Sequence, residues 1–357
     1  MKVGIVTITE LENFGNRLQN YALQETLKSL GAEVETIPNY ITYRHRKRKS
    51  WQLKKLFIGL KNRSRSQLSE IIKIKRFEKF DKKHFAFSKY YSEINYIPKD
   101  LGSAYDYFVA GSDQIWNPIF PFNLDFNFLK FCSEEKRVAY SGSFGVEQIP
   151  EKYEKQITDY INGFPDISVR EFSGQNIVRD LTGKEARVLF DPTLLLDRCS
   201  WQALSRKPKW LDEDKKYILV YYLGKKEALT KILESVNQNH PDLASYEIID
   251  IHDQKLVKQY TITPDEFVWL IDHAGLMITD SFHGTVFSIL METPFIHSLR
   301  EGGVNMNSRI FSLFKELSLP FSEAVYTDHI NNTDLQGCLA QGRAEAKAYL
   351  QNHLHHD

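Results

Sequence analysis

Short apolar runs that stop abruptly in small and polar residues, each followed by a stretch of helical spacing, recur along this chain and leave it few folds. Val3 to Ile8 is the first run. Arg17 to Leu30 follows, with Leu18, Tyr21, Ala22, Leu27 and Leu30 near the helical period and Gly31 placed to end it. Glu33 to Ile37 then reads as a second strand. This βαβ start predicts a parallel sheet with a right-handed crossover, whose loops at the strand carboxyl ends are where ligands sit.

The pattern repeats. Asp106 to Ala110 runs into GSDQIWNP and Arg137 to Ser141 runs into GSFG, while Pro192 argues against a regular central strand in Val188 to Leu196. A charged, turn-rich stretch at about 198 to 215 reads as an interdomain connection. Beyond it, Tyr217 to Tyr222, Tyr246 to Ile251 and Leu276 to Thr279 are strand runs, separated by helices at Lys226 to Val236 and Pro264 to His273. Val286 to Met291 is a further helix, stopped before Pro294, and alanine-rich Arg343 to Leu350 is the last. At 357 residues the chain is long for one core. The expectation is an α/β protein of two Rossmann-like domains with a central cleft, residues 1–200 and 201–330, and a C-terminal helix within 331–357 packing back on the first domain.

Lys plus Arg and Asp plus Glu both number 46, so the net charge is 0 and no global field favours nucleic acid. The balance hides one asymmetry. Between Arg44 and His84, sixteen Lys/Arg face three acidic residues (Glu70, Glu78, Asp81), a net of +13 inside a basic helical insertion at about 41–100. Trp51, Leu53, Leu56, Phe57, Ile58 and Leu60 add an apolar segment to it. One reading is peripheral contact with an anionic membrane face through 44–84; the other is a solvated insertion whose apolar residues bury against the first domain or a second subunit of a homo-oligomer. Three cysteines (Cys132, Cys199, Cys338) without C-x-x-C spacing fit a reducing cytoplasm. The N-terminus meets Glu10 and Glu12 before any cleavage site could form, so it reads as a strand and not a signal peptide; no run of about 18 uncharged apolar residues predicts a spanning helix.

Three places carry candidate chemistry. In LENFGNRLQNYALQ, Asn13, Gly15 and Asn16 lie where a strand passes into a helix, whose free N–H groups suit an oxyanion or a phosphate; plain capping is the alternative. Arg17 just inside that helix opposes the dipole unless an anion is near. In GSDQIWNP, Asp113 projects a carboxylate, Gln114 offers an amide, and Trp116 beside Asn117 could form a wall against a sugar, although Asp113 could equally be a cap. In TDSFHGTVF, Ser281, Gly284 and Thr285 surround His283, which is either a buried structural histidine or a group that protonates or binds a phosphate. Arg170 and Arg309 are its plausible anion-binding partners, because a guanidinium grips carboxylates and phosphates bidentately; Asp191 and Glu292 are secondary. The histidines show no H-x-x-x-H or H-E-x-x-H spacing, so the chemistry is expected to need no metal.

Taken in order, NFGNRLQNYALQ, VAGSDQIWNP, YSGSFG, ISVRE, DPTLLLD and TDSFHGTVFSILMETP resemble the polysaccharide pyruvyl transferase family over Val3 to about Phe314. The resemblance implies a GT-B-like pair of domains with the active site between them. It implies a donor, phosphoenolpyruvate, used as substrate with no cofactor, and a sugar acceptor that is lipid- or nucleotide-linked or polymeric. His283 and Arg170 would meet the donor, and the loops at Asn13 to Asn16 and Asp113 to Asn117 the acceptor. A nucleotide-sugar glycosyltransferase is the runner-up, and a non-catalytic scaffold the third class.

Overall fold

A computed structural model describes residues 1–9, 13–40, 65–211, 216–239, 244–248, 261–300, 307–321 and 333–354. The chain opens with β1 (Lys2–Val6), helix α1 (Phe14–Ser29), β2 (Glu33–Ile37) and a short β3 (Asn39–Tyr40). Helix α2 (Arg65–His84) leads to β4 (Ser92–Glu93), which pairs with β3, and to β5 (Tyr107–Ala110). There follow α3 (Leu124–Asn127), β6 (Arg137–Gly142), α4 (Glu151–Asn162), β7 (Ile167–Val169), α5 (Phe172–Thr182) and β8 (Arg187–Val188). Six parallel strands form the first sheet in the order β2-β1-β5-β6-β7-β8.

A short helix α6 (Arg198–Leu204) precedes the second sheet. Its elements are β9 (Tyr217–Tyr221), α7 (Lys226–Asn239), β10 (Ala244–Glu247), α8 (Pro264–His273), β11 (Leu276–Thr279), α9 (Phe282–Leu290) and β12 (Phe295–His297), with strands in the parallel order β10-β9-β11-β12. Helices α10 (Ser308–Glu316) and α11 (Thr333–Leu354) complete the chain. The last of these lies against the first sheet: the Tyr349 hydroxyl donates to the Ala139 carbonyl at 3.0 Å, and Arg343 Nε to that of Leu194 at 2.8 Å.

Both central strands are buried on both faces, as helices on each side of a parallel sheet require: Val3, Ile5, Ile218 and Leu219 are fully enclosed. In both sheets the strand order reverses beside the first strand, between β1 and β5 and between β9 and β11. At such a switch point the loops diverge and leave a crevice at the strand carboxyl ends.

Several local expectations change. Helix α1 begins at Phe14, three residues before the expected start, because Asn13 caps it by accepting from Asn16 N at 3.2 Å. Helix α9 likewise begins at Phe282, four residues early, behind Ser281 as its cap. Part of the expected interdomain connection is the helix α6, whose Trp201 is fully buried against Phe287. Pro192 heads a 3-10 turn, Pro192–Leu195, as its missing N–H allows.

Residues 41–64 of the basic insertion, including the apolar segment Trp51 to Leu60, lie outside the described residues. The remaining part, α2, buries Ile71, Ile74, Phe77 and Phe80. Phe14 of α1 sits between Phe77 at 5.5 Å and a stacked Phe267 of α8 at 4.7 Å, so α2 ties the two sheets together through aromatic contact. No described helix is long and apolar enough to cross a membrane.

Candidate active site

The two switch points face one cavity. From the first sheet come Ile8, Asn13 and Asn16 after β1 and Asp113, Gln114 and Phe120 after β5; from the second come Leu223 after β9 and Ser281, Phe282 and His283 after β11, with Arg300 and Arg309 beyond β12. Its volume is about 130 Å³, below the range usual for drug-sized ligands and suited to a small molecule. The amino ends of α1 and α9 both open on it, each adding backbone N–H groups and a positive dipole end.

His283 is 8% exposed and its Nε2 has no hydrogen-bond partner. It lies 3.7 Å from Asp191 Oδ2. The opposite edge of the imidazole rests on Gly15, where an added Cβ would stand 2.0 Å from Nδ1 and 2.5 Å from Cγ. Gly15 is therefore an inner residue of the first turn whose missing side chain leaves the ring its place, not a hinge between strand and helix. Gly15→Ala is expected to drive the ring out of this position, with an overpacking cost of about 1–3 kcal/mol and a fall in turnover larger than any fall in donor affinity. Melting curves and steady-state kinetics on the variant measure both.

Asp191 is the hub beside that ring. Its Oδ2 accepts from Ser112 Oγ at 3.0 Å and Arg170 Nη1 at 2.9 Å, and its Oδ1 from Thr193 N at 3.0 Å and Thr193 Oγ1 at 2.6 Å. Burial opposes its ionisation, yet His283, Arg170 and Thr193 together hold the carboxyl well below the usual carboxylate range. Arg170, 2% exposed, also faces Asp113 Oδ1 at 3.5 Å and Glu171 Oε2 at 3.6 Å, and its guanidinium lies 4.7 Å from the Phe282 ring centre. Burial disfavours its charge, but these three carboxylates more than restore it. Its Nε and Nη2 make no hydrogen bond, but with its charge offset by these carboxylates and its place outside the cavity wall, Arg170 is better suited to organise carboxylates than to serve as the donor clamp expected from the sequence.

Arg309 has the opposite surroundings. It is 8% exposed, lines the cavity, and its Nε has no partner. Burial, then neighbouring Arg170, brings its pKa down to about 10. Arg300, which the sequence reading missed, joins it in the wall; its Nε donates to Asp280 Oδ2 at 2.8 Å, and Asp280 Oδ1 in turn accepts from Leu223 N at 2.8 Å. Asp113 brings a carboxylate to the same wall with a left-handed φ of 68°, a conformation that costs a non-glycine residue about 1–3 kcal/mol and gathers at functional sites.

Other expected site residues stand elsewhere. Trp116 is no sugar wall: it is 1% exposed, stacks on Phe128 at 5.2 Å and fills the space above Gly142, with Nε1 donating to the Asn127 carbonyl at 3.3 Å. Asn117 donates to Gln114 Oε1 at 2.9 Å and so fixes a residue that does reach the cavity. Arg17 finds its anion in Asp81 of α2, at 2.9 Å, instead of in a ligand. Thr285 shares a hydrogen bond of 2.7 Å with His297 and is fully buried, while Gly284 provides the close approach of α9 to Thr279. Glu292 pairs with Arg198 and lies off the cavity wall. Among the described residues no cluster of three or more His, Cys, Asp or Glu is placed to hold a metal ion.

Two parallel sheets that meet switch point to switch point over a shared cavity define a Rossmann-type α/β architecture of the GT-B kind. The chain belongs to the polysaccharide pyruvyl transferase family, whose model matches residues 13–299. It is accordingly an enzyme of the pyruvyl-transfer class, in a family whose donor phosphoenolpyruvate is a substrate and not a cofactor. Its fold is similar to that of UDP-GlcNAc 2-epimerase from Neisseria meningitidis, at 11% identity over 99% of this chain and 100% of that one, with a TM-score of 0.51. A putative UDP-N-acetylglucosamine 2-epimerase from Listeria monocytogenes is more distant, at 10% identity over 99% and 96% of the two chains and a TM-score of 0.47. The glycosyltransferase SnogD from Streptomyces nogalater scores 0.40, at 10% identity over 99% and 98%. No curated protein matches the chain at a significant level.

Proposed function

We propose that the protein transfers the pyruvyl group of phosphoenolpyruvate to two hydroxyls of a sugar in a surface or capsular polysaccharide precursor, giving a cyclic ketal and free phosphate. One observation carries this reading: Arg309, more than nine-tenths buried and with an Nε that makes no hydrogen bond, shares a cavity of small-molecule size with His283, whose Nε2 makes no hydrogen bond and stands 3.7 Å from Asp191 Oδ2. A buried cation left this way is costly until an anion arrives, and phosphoenolpyruvate brings two anionic groups.

In this scheme Arg309 and Arg300 bind the donor's carboxylate and phosphate, with the N–H groups at the starts of α1 and α9 completing the cradle. A proton adds to the donor's methylene carbon, and a sugar hydroxyl bonds to the adjacent carbon as Asp113 accepts its proton. The second hydroxyl then bonds to that carbon as the C–O bond to phosphate breaks; His283 gives a proton to the departing phosphate and takes up the proton that the second hydroxyl releases. Asp191 keeps the imidazole oriented, and Arg170 keeps Asp191 charged and faces Asp113 at 3.5 Å. Asn13, Asn16 and Gln114 lie on the acceptor side, with the sugar held on a lipid, nucleotide or polymer carrier. In this reading the chain divides at 1–200 and 201–330, with the donor at the second unit and the acceptor at the first, and the protein works in the cytoplasm, where peripheral contact with the inner face of a membrane would bring it to a lipid-linked acceptor.

Calorimetric titration tests the donor. Phosphoenolpyruvate should bind, with inorganic phosphate as a weaker competitor; tight binding of a nucleotide sugar with no phosphoenolpyruvate signal would replace the reading by a glycosyltransferase. Arg309→Met should weaken phosphoenolpyruvate binding about 10- to 100-fold, the scale of a lost charge-assisted hydrogen bond, and leave the melting temperature unchanged or raised because an uncompensated buried charge is removed.

A further inference from the structure

A second and larger cavity, of about 780 Å³, opens where α2 faces the amino end of α8 and the segment after α6. Its wall is made by Arg76, Lys79, Phe80, Lys83 and His84 of α2, Arg206, Lys209 and Trp210 of the segment, and Thr263 and Asp265 at α8. Positions 76, 79, 80, 83 and 84 follow the three- and four-residue steps of one helix face, so α2 turns a basic and aromatic stripe toward this space.

The charges divide into two groups. In the first, Arg76 Nη2 donates to both oxygens of the fully buried Glu266, at 2.6 and 2.5 Å, and Arg206 reaches Glu266 Oε1 and Asp265 Oδ2, each at 2.9 Å. Two guanidinium groups thus meet two carboxylates and cancel. In the second, Lys79, Lys83 and Lys209 are exposed and have no acidic partner among the described residues. Phe80 and the half-buried Trp210 supply apolar surface beside those ammonium groups.

We propose that this cavity binds an organic diphosphate. Three uncompensated lysines match the several negative charges of a diphosphate better than the smaller charge of one phosphate, and Lys serves as a point charge for phosphate oxygens. The half-buried Trp210, backed by the buried Phe80, takes the organic part, and the volume lies in the range of ligand sites, about 300–1,000 Å³. A nucleoside diphosphate and a lipid diphosphate share this chemistry. The assignment does not depend on which donor occupies the first cavity.

The test is titration of inorganic pyrophosphate into the intact protein, into a Lys79→Gln/Lys83→Gln/Lys209→Gln variant and into Arg309→Met. These lysines are exposed, so the triple variant should keep its melting temperature. Pyrophosphate affinity is expected to fall at least about tenfold in the triple variant and to stay unchanged in Arg309→Met. Loss in Arg309→Met with retention in the triple variant would move pyrophosphate to the first cavity and overturn the proposal, as would absence of binding at millimolar concentration. Uridine diphosphate and farnesyl diphosphate then separate the two sources: whichever binds more tightly than pyrophosphate supplies the organic part, and if neither does, the aromatic wall has no ligand and the proposal falls. Sedimentation with phosphatidylglycerol vesicles, lost in the triple variant and without pyrophosphate binding, would replace the diphosphate by a membrane surface.

Discussion

Replacing His283 by Asn is expected to lower turnover by about 10²- to 10⁴-fold, the scale of a lost general acid. Asn keeps an amide near the Nδ1 position, does not reach the position of Nε2 and cannot protonate a leaving phosphate. Stability should change little, because Nε2 makes no hydrogen bond that the substitution could break. The substitution removes the packing of the ring on Gly15, which has no side chain to leave unsupported, and the 3.7 Å approach of the imidazole to Asp191 Oδ2, while Arg170, Ser112 and Thr193 still hold that carboxylate. Kinetics and melting curves on the same sample distinguish the roles: near-normal turnover with a large drop in melting temperature would make His283 a core histidine and remove it from the chemistry.

Arg170→Met should destabilise the fold by about 3–5 kcal/mol, since removing one partner of a buried ionic cluster leaves the others unpaired. Here the remainder is Asp191, Asp113 and Glu171, with Asp191 fully enclosed. Denaturant titration would show a shifted midpoint at unchanged slope. A second substitution, Asp191→Asn, should recover part of the loss at neutral pH, because it removes one of the stranded charges. If Arg170 were instead a free donor clamp, the single variant would lose donor affinity and keep its stability.

Local signals carried much of the fold. Pro264 at a helix start, with Thr263 and Glu266 closing a capping box, made α8 readable to the residue, and the uncharged run Leu276–Thr279 did the same for β11. Apolar spacing alone starts α1 and α9 too late, because Phe14, Gly15 and His283 stand among polar residues outside that spacing; the caps that set the true starts are Asn13 and Ser281. Of the expected site residues, Asn13, Asn16, Asp113, Gln114, Ser281, His283 and Arg309 share one cavity, and most of them follow a strand that ends in small polar residues. What stayed hidden depends on distant sequence. Trp116 sits between polar residues, yet Gly142 opens a core slot for it; Arg170 is claimed by carboxylates 57 positions before it and 21 after it, a pairing no local pattern encodes. Arg300 follows a three-residue strand too short for periodicity to reveal, and its partner Asp280 lies twenty positions earlier.

The basic segment illustrates how one composition can serve two layers. Its α2 half buries four apolar side chains against the rest of the protein and still presents a basic face, so its charge neither requires nor excludes a membrane. The apolar cluster from Trp51 to Leu60 lies outside the described residues.

A crystal structure with phosphoenolpyruvate bound tests the central claim most directly. The account predicts the donor in the smaller cavity, one of its anionic groups within hydrogen-bonding distance of Arg309 Nε and its phosphate reaching His283 Nε2, with Arg170 still paired to Asp191. Phosphoenolpyruvate bound away from Arg309 and His283, or held by Arg170 after release from its carboxylates, would contradict it.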